Sequence, residues 1–340
     1  MNYKWYLSDL KKVKKNGCTV FSCFSCGGGS SMGYKLSGYE VVGNCEIDPK
    51  TNEMYKANHN PKYSFNMDIR DFLKLKDYPK ELYNLDILDG SPPCTSFSMA
   101  GVRERDWGKK KTFAEGNKLQ RLDDLFFPFI ELGGKLKPKV IVAENVTGMI
   151  RGNARGYVTE VLKECKAKGY VAQIFKLNGA TMGVPQKRER VFFILYRSDL
   201  NYPKLKLHFN EKPILFSEYR SNIGIPINPN TDTARLLSKR TKKDRNLADI
   251  KKRLGQKGSR FNAQVVQDHT VCPTITSGGE FYRGFDGTKF TDRDFILPQS
   301  FPLDYDFKDK TPHFVCGMSV PPIMMAKISS EIYKQWLRKE

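Results

Sequence analysis

Apolar positions in the first two hundred residues come as short runs separated by polar stretches with helical spacing. Residues 19–24, 39–45, 85–88 and 140–143 are rich in β-branched, aromatic and other apolar residues, as buried strands are. Each run ends in a turn or an acid: Gly27-Gly28-Gly29, Glu46-Ile47-Asp48, Asp89-Gly90 and Glu144-Asn145. Helical spacing follows up to Leu36, from Pro49 to about Ala57, over 122–132 and over 158–168. Pro49 suits a first helical turn, whereas Pro128 predicts a bend in the stretch 122–132. Runs 171–177 and 191–196 close the series. This alternation predicts an α/β fold with a mostly parallel sheet and helices on both faces. After Arg197 the pattern dissolves among Pro203, Pro213, Pro226 and Pro229, and a helical pattern returns over 320–337. The expected organisation is a large domain, 1–197 with 315–340, and a smaller irregular one, 198–314. There is no internal repeat and no low-complexity tract.

Composition narrows the classes of function. The chain has 340 residues, 39% hydrophobic and 12% aromatic, which supplies a real core and excludes global disorder. No apolar run approaches the roughly 18 residues of a membrane span. The N-terminal stretch MNYKWYLSDLKKVKKNG has no apolar centre. A cytoplasmic protein, in bacterial cytosol or nucleoid, is expected. Lys and Arg number 57 against 37 Asp and Glu, a formal charge of +20, which points to a polyanionic partner. The cations are spread through the chain, which favours nucleic acid over a membrane surface. They are densest over 235–260, where 11 Lys and Arg face two acids, Asp244 and Asp249. Cys23 and Cys26 form one CxxC with no second pair at zinc-ribbon spacing, and His59, His208, His269 and His313 are scattered singly. Buried thiols and no metal site are the expectation.

Four segments carry chemistry. The first is a strand followed by Phe24-Ser25-Cys26-Gly27-Gly28-Gly29, a helix, and then Glu46 at the end of the next strand. Glycines let a backbone approach a ligand closely, and an acid about 20 residues on can accept from both hydroxyls of a ribose. NAD, FAD and S-adenosyl-L-methionine all use this layout, and a tight turn without ligand remains open. The second is Asp89-Gly90-Ser91-Pro92-Pro93-Cys94-Thr95-Ser96-Phe97-Ser98, beyond a strand's carboxyl end. A lone Cys is usually an inert buried thiol. Two prolines in a loop are not that setting, so Cys94 reads as a presented nucleophile. The third, 140–146, delivers Glu144 to the same sheet edge; alone, it could be a solvated acid. The fourth, Pro185-Gln186-Lys187-Arg188-Glu189-Arg190, would alone read as a solvated charged turn.

Together, and in this order, these segments resemble the DNA cytosine-5 methyltransferase family. The resemblance rests on the glycine-rich loop, Glu46, Asp68-Ile69, Pro92-Pro93-Cys94, Glu144-Asn145-Val146, Gln186-x-Arg188-x-Arg190 and Gly317-x-Ser319-Val320-Pro321-Pro322. It spans about 18–197 and 272–330. It implies a Rossmann-like, S-adenosyl-L-methionine-dependent methyltransferase fold with a smaller irregular target-recognition domain. It implies methyl transfer to C5 of a flipped-out cytosine in double-stranded DNA through a covalent Cys94–C6 adduct. Phe24 would pack on adenine, Glu46 would hold the ribose and Asp68 the adenine amino group, with Ile69 beside it. The backbone of Ser25, Cys26, Gly27 and Gly28 would face the methionine part. Ile47, Pro93, Leu125, Ser319 and Val320 would complete the cofactor site. Glu144, protonated or sharing a proton, would hold the cytosine edge, and Arg188 and Arg190 would steady the flipped nucleotide. Ser96, Ser98, Arg240, Arg260, Thr276, Ser277 and Gly278 would touch DNA. Residues 96–120 would form a mobile lid. A monomer suffices, and a cognate restriction endonuclease would act separately.

The chain departs from the family pattern at four places. Met318 stands where Asn is usual and removes an amide next to the cofactor. Cys26 stands where Gly is common, Ser22 where Asp is often seen, and the motif near Thr291-Asp292-Arg293-Asp294 has Asp where Glu is usual. None removes a proposed catalytic group, so an active enzyme is expected. Two rivals are a catalytically silent DNA-binding protein and a tRNA cytosine methyltransferase. The large basic insert favours duplex DNA. A nicotinamide-dependent oxidoreductase would leave Pro-Pro-Cys unexplained.

Overall fold

Seven strands pair in the order β3-β2-β1-β4-β5-β7-β6 in the computed structural model, which describes residues 1–93, 125–151 and 154–338. They are β1 (Thr19–Cys23), β2 (Glu40–Cys45), β3 (Tyr63–Phe65), β4 (Ile87–Gly90), β5 (Val140–Val146), β6 (Tyr170–Asn178) and β7 (Glu189–Arg197). β1 to β5 are mutually parallel, so the carboxyl ends of β1, β2, β4 and β5 share one edge. β7 enters between β5 and β6 and runs antiparallel to β5. No α-helix separates β6 from β7, and a parallel connection would require such a crossover. The expected mostly parallel α/β sheet is therefore present, with one reversed strand.

The helices start where their local chemistry allows. α1 (Gly29–Leu36) follows the glycine-rich loop. α2 (Pro49–His59) has Pro49 in its first turn and is capped by Asp48, whose side chain accepts from Thr51 N–H at 2.7 Å. α3 (Ile69–Leu73) is capped in the same way by Asp68. α4 (Phe126–Leu136) corrects the reading of Pro128. The described helix begins at Phe126, so Pro128 falls in its first turn, where an N–H has no intrahelical partner to lose. α5 (Ala154–Ala167) covers the stretch expected at 158–168.

Two compact units result. The larger comprises Leu10–Leu177, Glu189–His208 and Met325–Glu340; the smaller comprises Met1–Asp9, Asn178–Arg188 and Phe209–Met324. The larger unit's core joins Phe21, Leu88 and Ile141 of the sheet to Phe72, Phe129, Ile130 and Val161 of the helices, all buried. Each such side chain contributes about 1.5–3 kcal/mol by leaving water. Beyond Met325, the last helix, Pro322–Ile332, is tied to this core: Tyr39 Oη donates to the Ser329 carbonyl at 3.0 Å.

The smaller unit has its own core of Leu236, Leu237, Leu247, Ile250, Ala263, Val265 and Tyr282. It carries α6 (Asp232–Ser238), α7 (Leu247–Arg253), α8 (Asp292–Ile296) and α9 (Pro312–Met318). Two short parallel pairs run through it, Ala263–Val266 with Glu280–Arg283 and Gln186–Lys187 with Cys272–Pro273. At the head of α8, Asp294 closes a reciprocal cap with Thr291 and accepts from Ser221 N–H at 2.7 Å, so the shorter acid suffices there. Among the described residues, no helix is long and apolar enough to cross a membrane.

Candidate active site

The loop after β1 turns back on itself through two left-handed residues, Phe24 (φ 53°) and Cys26 (φ 44°), before Gly28 (φ 70°) opens α1. Glu46, at the end of the neighbouring β2, holds this shape. Its Oε2 accepts from Cys26 N–H at 2.9 Å and its Oε1 from Asp48 N–H at 3.1 Å. Burial pushes the Glu46 carboxyl above the usual range, and these backbone donors oppose the shift. Asn44 Nδ2 donates to Ser25 Oγ at 3.0 Å, which fixes the middle of the loop. Phe24 meets the ring of Phe129 edge-on at 6.1 Å. Phe129 comes this close because Gly90 has no Cβ: one placed there would lie 2.6 Å from the Phe129 ring.

These residues fit a nucleoside-bearing cofactor. The N–H groups of Cys26, Asp48 and Ile47 take three of the Glu46 carboxylate's lone-pair directions and leave one for a ribose hydroxyl. Phe24 and Ile47 are partly exposed beside it. Ile69 and Leu125 are buried in the same core as Phe24. Asp68 caps α3 through Arg70 N–H at 2.8 Å and takes the Arg70 guanidinium on both oxygens, at 2.9 and 2.6 Å. Pro93 is partly exposed at the end of the turn that follows β4.

Glu144 and Arg190 form a diagonal cross-strand pair. Arg190 stands opposite Val146 in the β5–β7 register, and Glu144, two residues back, points to the same face. Arg190 Nε lies 2.8 Å from Glu144 Oε1, with both side chains mostly buried. Next to Glu144, Asn145 Nδ2 donates to the carbonyl of Pro92 at 3.2 Å. The strand that delivers the acid thereby also anchors the Pro92-Pro93 turn. Asn145 stood in the sequence motif without a role, and the turn it holds explains its amide.

Arg188 belongs to the smaller unit. It is almost fully buried; Nη1 donates to the Ile275 carbonyl at 2.9 Å and Nη2 to that of Gly317 at 3.1 Å. Gln186 works beside it. Its Nε2 donates to Gln299 Oε1 at 2.7 Å and its Oε1 accepts from Ile275 N–H at 3.0 Å, while Gln299 holds the Ser319 carbonyl at 2.6 Å. The motif thus fastens the 274–279 stretch to the turn carrying the buried Ser319 and Val320. Within that stretch, the Thr276 carbonyl lies 2.8 Å from His313 Nε2, Ser277 is partly exposed and Gly278 exposed. Met318 is 55% exposed.

Arg240 and Arg260 are also engaged inside the smaller unit. The Arg240 guanidinium donates to the carbonyls of Gly284, Leu237 and Phe285, each at 2.8 Å. Arg260 bonds Thr233 Oγ1 at 2.8 Å and pairs with Glu280. Arg235, Lys239, Lys242, Lys243, Lys252 and Lys257 are exposed. Cys94, Ser96, Ser98 and the expected lid 96–120 lie outside the described residues.

One buried acid, named in the sequence at the head of the Pro-Pro-Cys segment, had no role there. Asp89 is 2% exposed and lies within hydrogen-bond reach of Ser22 and Tyr34. The signal available was an acid ending an otherwise apolar strand.

The family model for C-5 cytosine-specific DNA methylases matches residues 18–334. Over 197 residues the chain is 34% identical to the Type II methyltransferase M.NgoPII of Neisseria gonorrhoeae, covering 56% of this chain and 52% of that protein. Over 348 residues it is 25% identical to the Type II methyltransferase M1.HphI of Haemophilus parahaemolyticus, covering 93% and 87%. The chain spans about half the length of the relatives matching it at higher identity. A structure of a Spodoptera frugiperda DNMT2 mutant superposes with a TM-score of 0.62 at 18% identity, over 93% of this chain and 100% of that one. That likeness concerns the fold.

Proposed function

The chain belongs to the C-5 cytosine-specific DNA methylase family, and from that premise we propose that it methylates C5 of a flipped-out cytosine in a specific duplex DNA site. The observation that carries the reading is the shared sheet edge: the Glu46-held loop and the Glu144–Arg190 pair both stand at carboxyl ends of parallel strands. Bound S-adenosyl-L-methionine supplies an electrophilic methyl group. Glu46 would hold its ribose and Phe24 its base.

Cytosine C5 is too weak a nucleophile to take that methyl unaided. Thiolate addition of Cys94 at C6 would move electron density onto C5. A free thiol with pKa near 8.5 is only a few per cent thiolate at neutral pH, so a nearby cation such as Arg190 would raise the reactive fraction. Glu144, taking up or sharing a proton as the base docks, would pass it to N3 and so neutralise the negative charge developing there, while Arg190 holds the carboxyl in place. After transfer, the C5 proton leaves to base, the C6–S bond breaks and the thiolate is released. A thiol cannot reach C6 in a stacked duplex, so the base must be extruded, at a cost of a few kcal/mol. The exposed cations of 235–260 would neutralise phosphates, and 274–279 would approach base edges. Arg188 would act through the 274–279 stretch that it fastens. The similarity to proteins named Type II methyltransferases supports a place beside a restriction endonuclease that acts separately; the proposal takes the chain to work as a monomer in the cytoplasm.

Bisulfite sequencing of DNA from cells expressing the protein tests this directly. Wild type should protect cytosines in one sequence context, and Cys94→Ser and Cys94→Ala should protect none. Undiminished protection by either variant refutes the adduct. Transfer of labelled methyl to tRNA and not to duplex DNA refutes the substrate.

A further inference from the structure

Ser22 and Asp89 sit directly opposite each other in the β1–β4 register. Ser22 Oγ donates to Asp89 Oδ2 at 2.9 Å, and Tyr34 Oη of α1 donates to Oδ1 at 3.2 Å. Ser30, also on α1, contributes a further hydroxyl. One buried carboxyl therefore joins three elements. β1 runs into the glycine-rich loop, α1 leaves it, and β4 runs into the Ser91-Pro92-Pro93 turn before Cys94. The chain has no acid at position 22, and β4 supplies one to the same place from the adjoining strand.

We propose that Asp89 is a positioning residue: its carboxylate gathers hydroxyls from β1 and α1, thereby setting the geometry of the cofactor loop relative to the turn before Cys94, and protonation loosens this junction. The inference rests on the proposed methyl transfer for its functional meaning, although the junction can be tested without it.

Chemistry gives the direction. A carboxylate accepts from all its hydroxyls at once, whereas the protonated acid must donate from one oxygen, and one hydroxyl then loses its acceptor. Burial, with the negative charge of Glu144 adding to it, pushes the Asp89 carboxyl up to about 7, and the Ser22, Tyr34 and Ser30 hydroxyls pull the other way. The groups facing Asp89 are Cys23 of β1, Tyr34 of α1, Tyr55 of α2 and Glu144 of β5. Burial pushes Cys23, Tyr34 and Tyr55 upward, so they stay neutral through this range. Glu144 is paired with Arg190. Because the folded carboxyl lies above its ordinary 3.8, the stability it contributes is full below that pH and is lost as pH rises towards about 7. Overall stability and a tight junction therefore run in opposite directions with pH.

The test compares wild type, Asp89→Asn, Asp89→Leu and Ser22→Ala between pH 5.5 and 8.5. Binding of S-adenosylhomocysteine is measured by calorimetry, stability by thermal melting, and KM for S-adenosylmethionine and kcat on duplex DNA by kinetics. In wild type, cofactor affinity should weaken three- to tenfold as pH falls through neutrality, with kcat at saturation changing less than twofold. Asp89→Asn should abolish that pH step and flatten the decline in melting temperature with rising pH. Asp89→Leu should weaken binding more than tenfold at every pH, and Ser22→Ala should give an intermediate loss. A merely structural role would lower melting temperature in Asp89→Asn and leave the pH step in place. That result, or wild-type affinity in Asp89→Leu, overturns the assignment. Absence of methyl transfer by wild type would instead refute the proposed reaction, and the binding and melting series would still decide on Asp89.

Discussion

Replacing Gly28 by alanine strikes the cofactor loop twice. Gly28 has φ 70°, a left-handed conformation that costs an L-residue roughly 1–2 kcal/mol. An added Cβ would also lie 2.7 Å from Cε1 and 2.8 Å from Cδ2 of His59, and nearer still to Nε2. His59 cannot step aside. It is buried, stacked on Tyr55 at 4.2 Å, and its own carbonyl holds the Lys35 ammonium at 2.9 Å. Burial, with the Lys35 charge adding to it, keeps the imidazole well below its usual range and so neutral, which leaves the clash purely steric at working pH. Overpacking of this kind costs about 1–3 kcal/mol, so Gly28→Ala should destabilise by roughly 2–5 kcal/mol. His59→Ala removes the obstacle and leaves only the backbone cost. A double-mutant cycle in urea, followed by circular dichroism, should therefore return a coupling of about 1–3 kcal/mol, with part of the S-adenosylhomocysteine affinity regained in the double variant. If Gly28→Ala costs the same in both backgrounds, within about 0.5 kcal/mol, His59 is not what the glycine accommodates.

Three further outcomes follow from the same geometry. Arg190→Met leaves Glu144 mostly buried without its cation and should cost about 2–4 kcal/mol in urea unfolding; adding Glu144→Gln should restore most of that stability but not methyl transfer. Lys242→Ala with Lys243→Ala, both exposed, should flatten the slope of log binding constant against log salt by about 1–2, measured by fluorescence anisotropy on duplex DNA, with little change in melting temperature. Pro128→Ala should alter stability by less than about 0.5 kcal/mol in urea unfolding, because a first-turn proline removes no helical hydrogen bond.

Strands and their chemistry-bearing ends were legible because local pattern and burial agree along β1, β2, β4 and β5. The glycine loop and Glu46 could be connected in advance, since a parallel βαβ unit brings successive strand ends to one edge. Helix starts were less legible. The apolar pattern around α4 did not show that Pro128 lies in the first turn of the helix described from Phe126. Arg188 and Arg190, two residues apart, looked like a single group. The backbone sends one into the smaller unit, where it holds the Ile275 and Gly317 carbonyls, and the other onto Glu144.

Residue order and spacing were enough to specify the fold class, the cofactor-type loop and the family, because those follow from period, turn chemistry and short-range connectivity. Which charges meet was settled by long-range pairing. Glu144 finds Arg190 because β7 inserts antiparallel beside β5 and brings Arg190 into diagonal register. Ser22 finds Asp89 because β1 and β4, distant in the chain, lie side by side. Arg240 and Arg260, conspicuous in a basic run, hold their own unit together because a guanidinium with several donors binds the nearest acceptors the fold supplies. Local sequence carries no information about strand partners so far away, and so the electrostatics of the site emerges only once the sheet has formed.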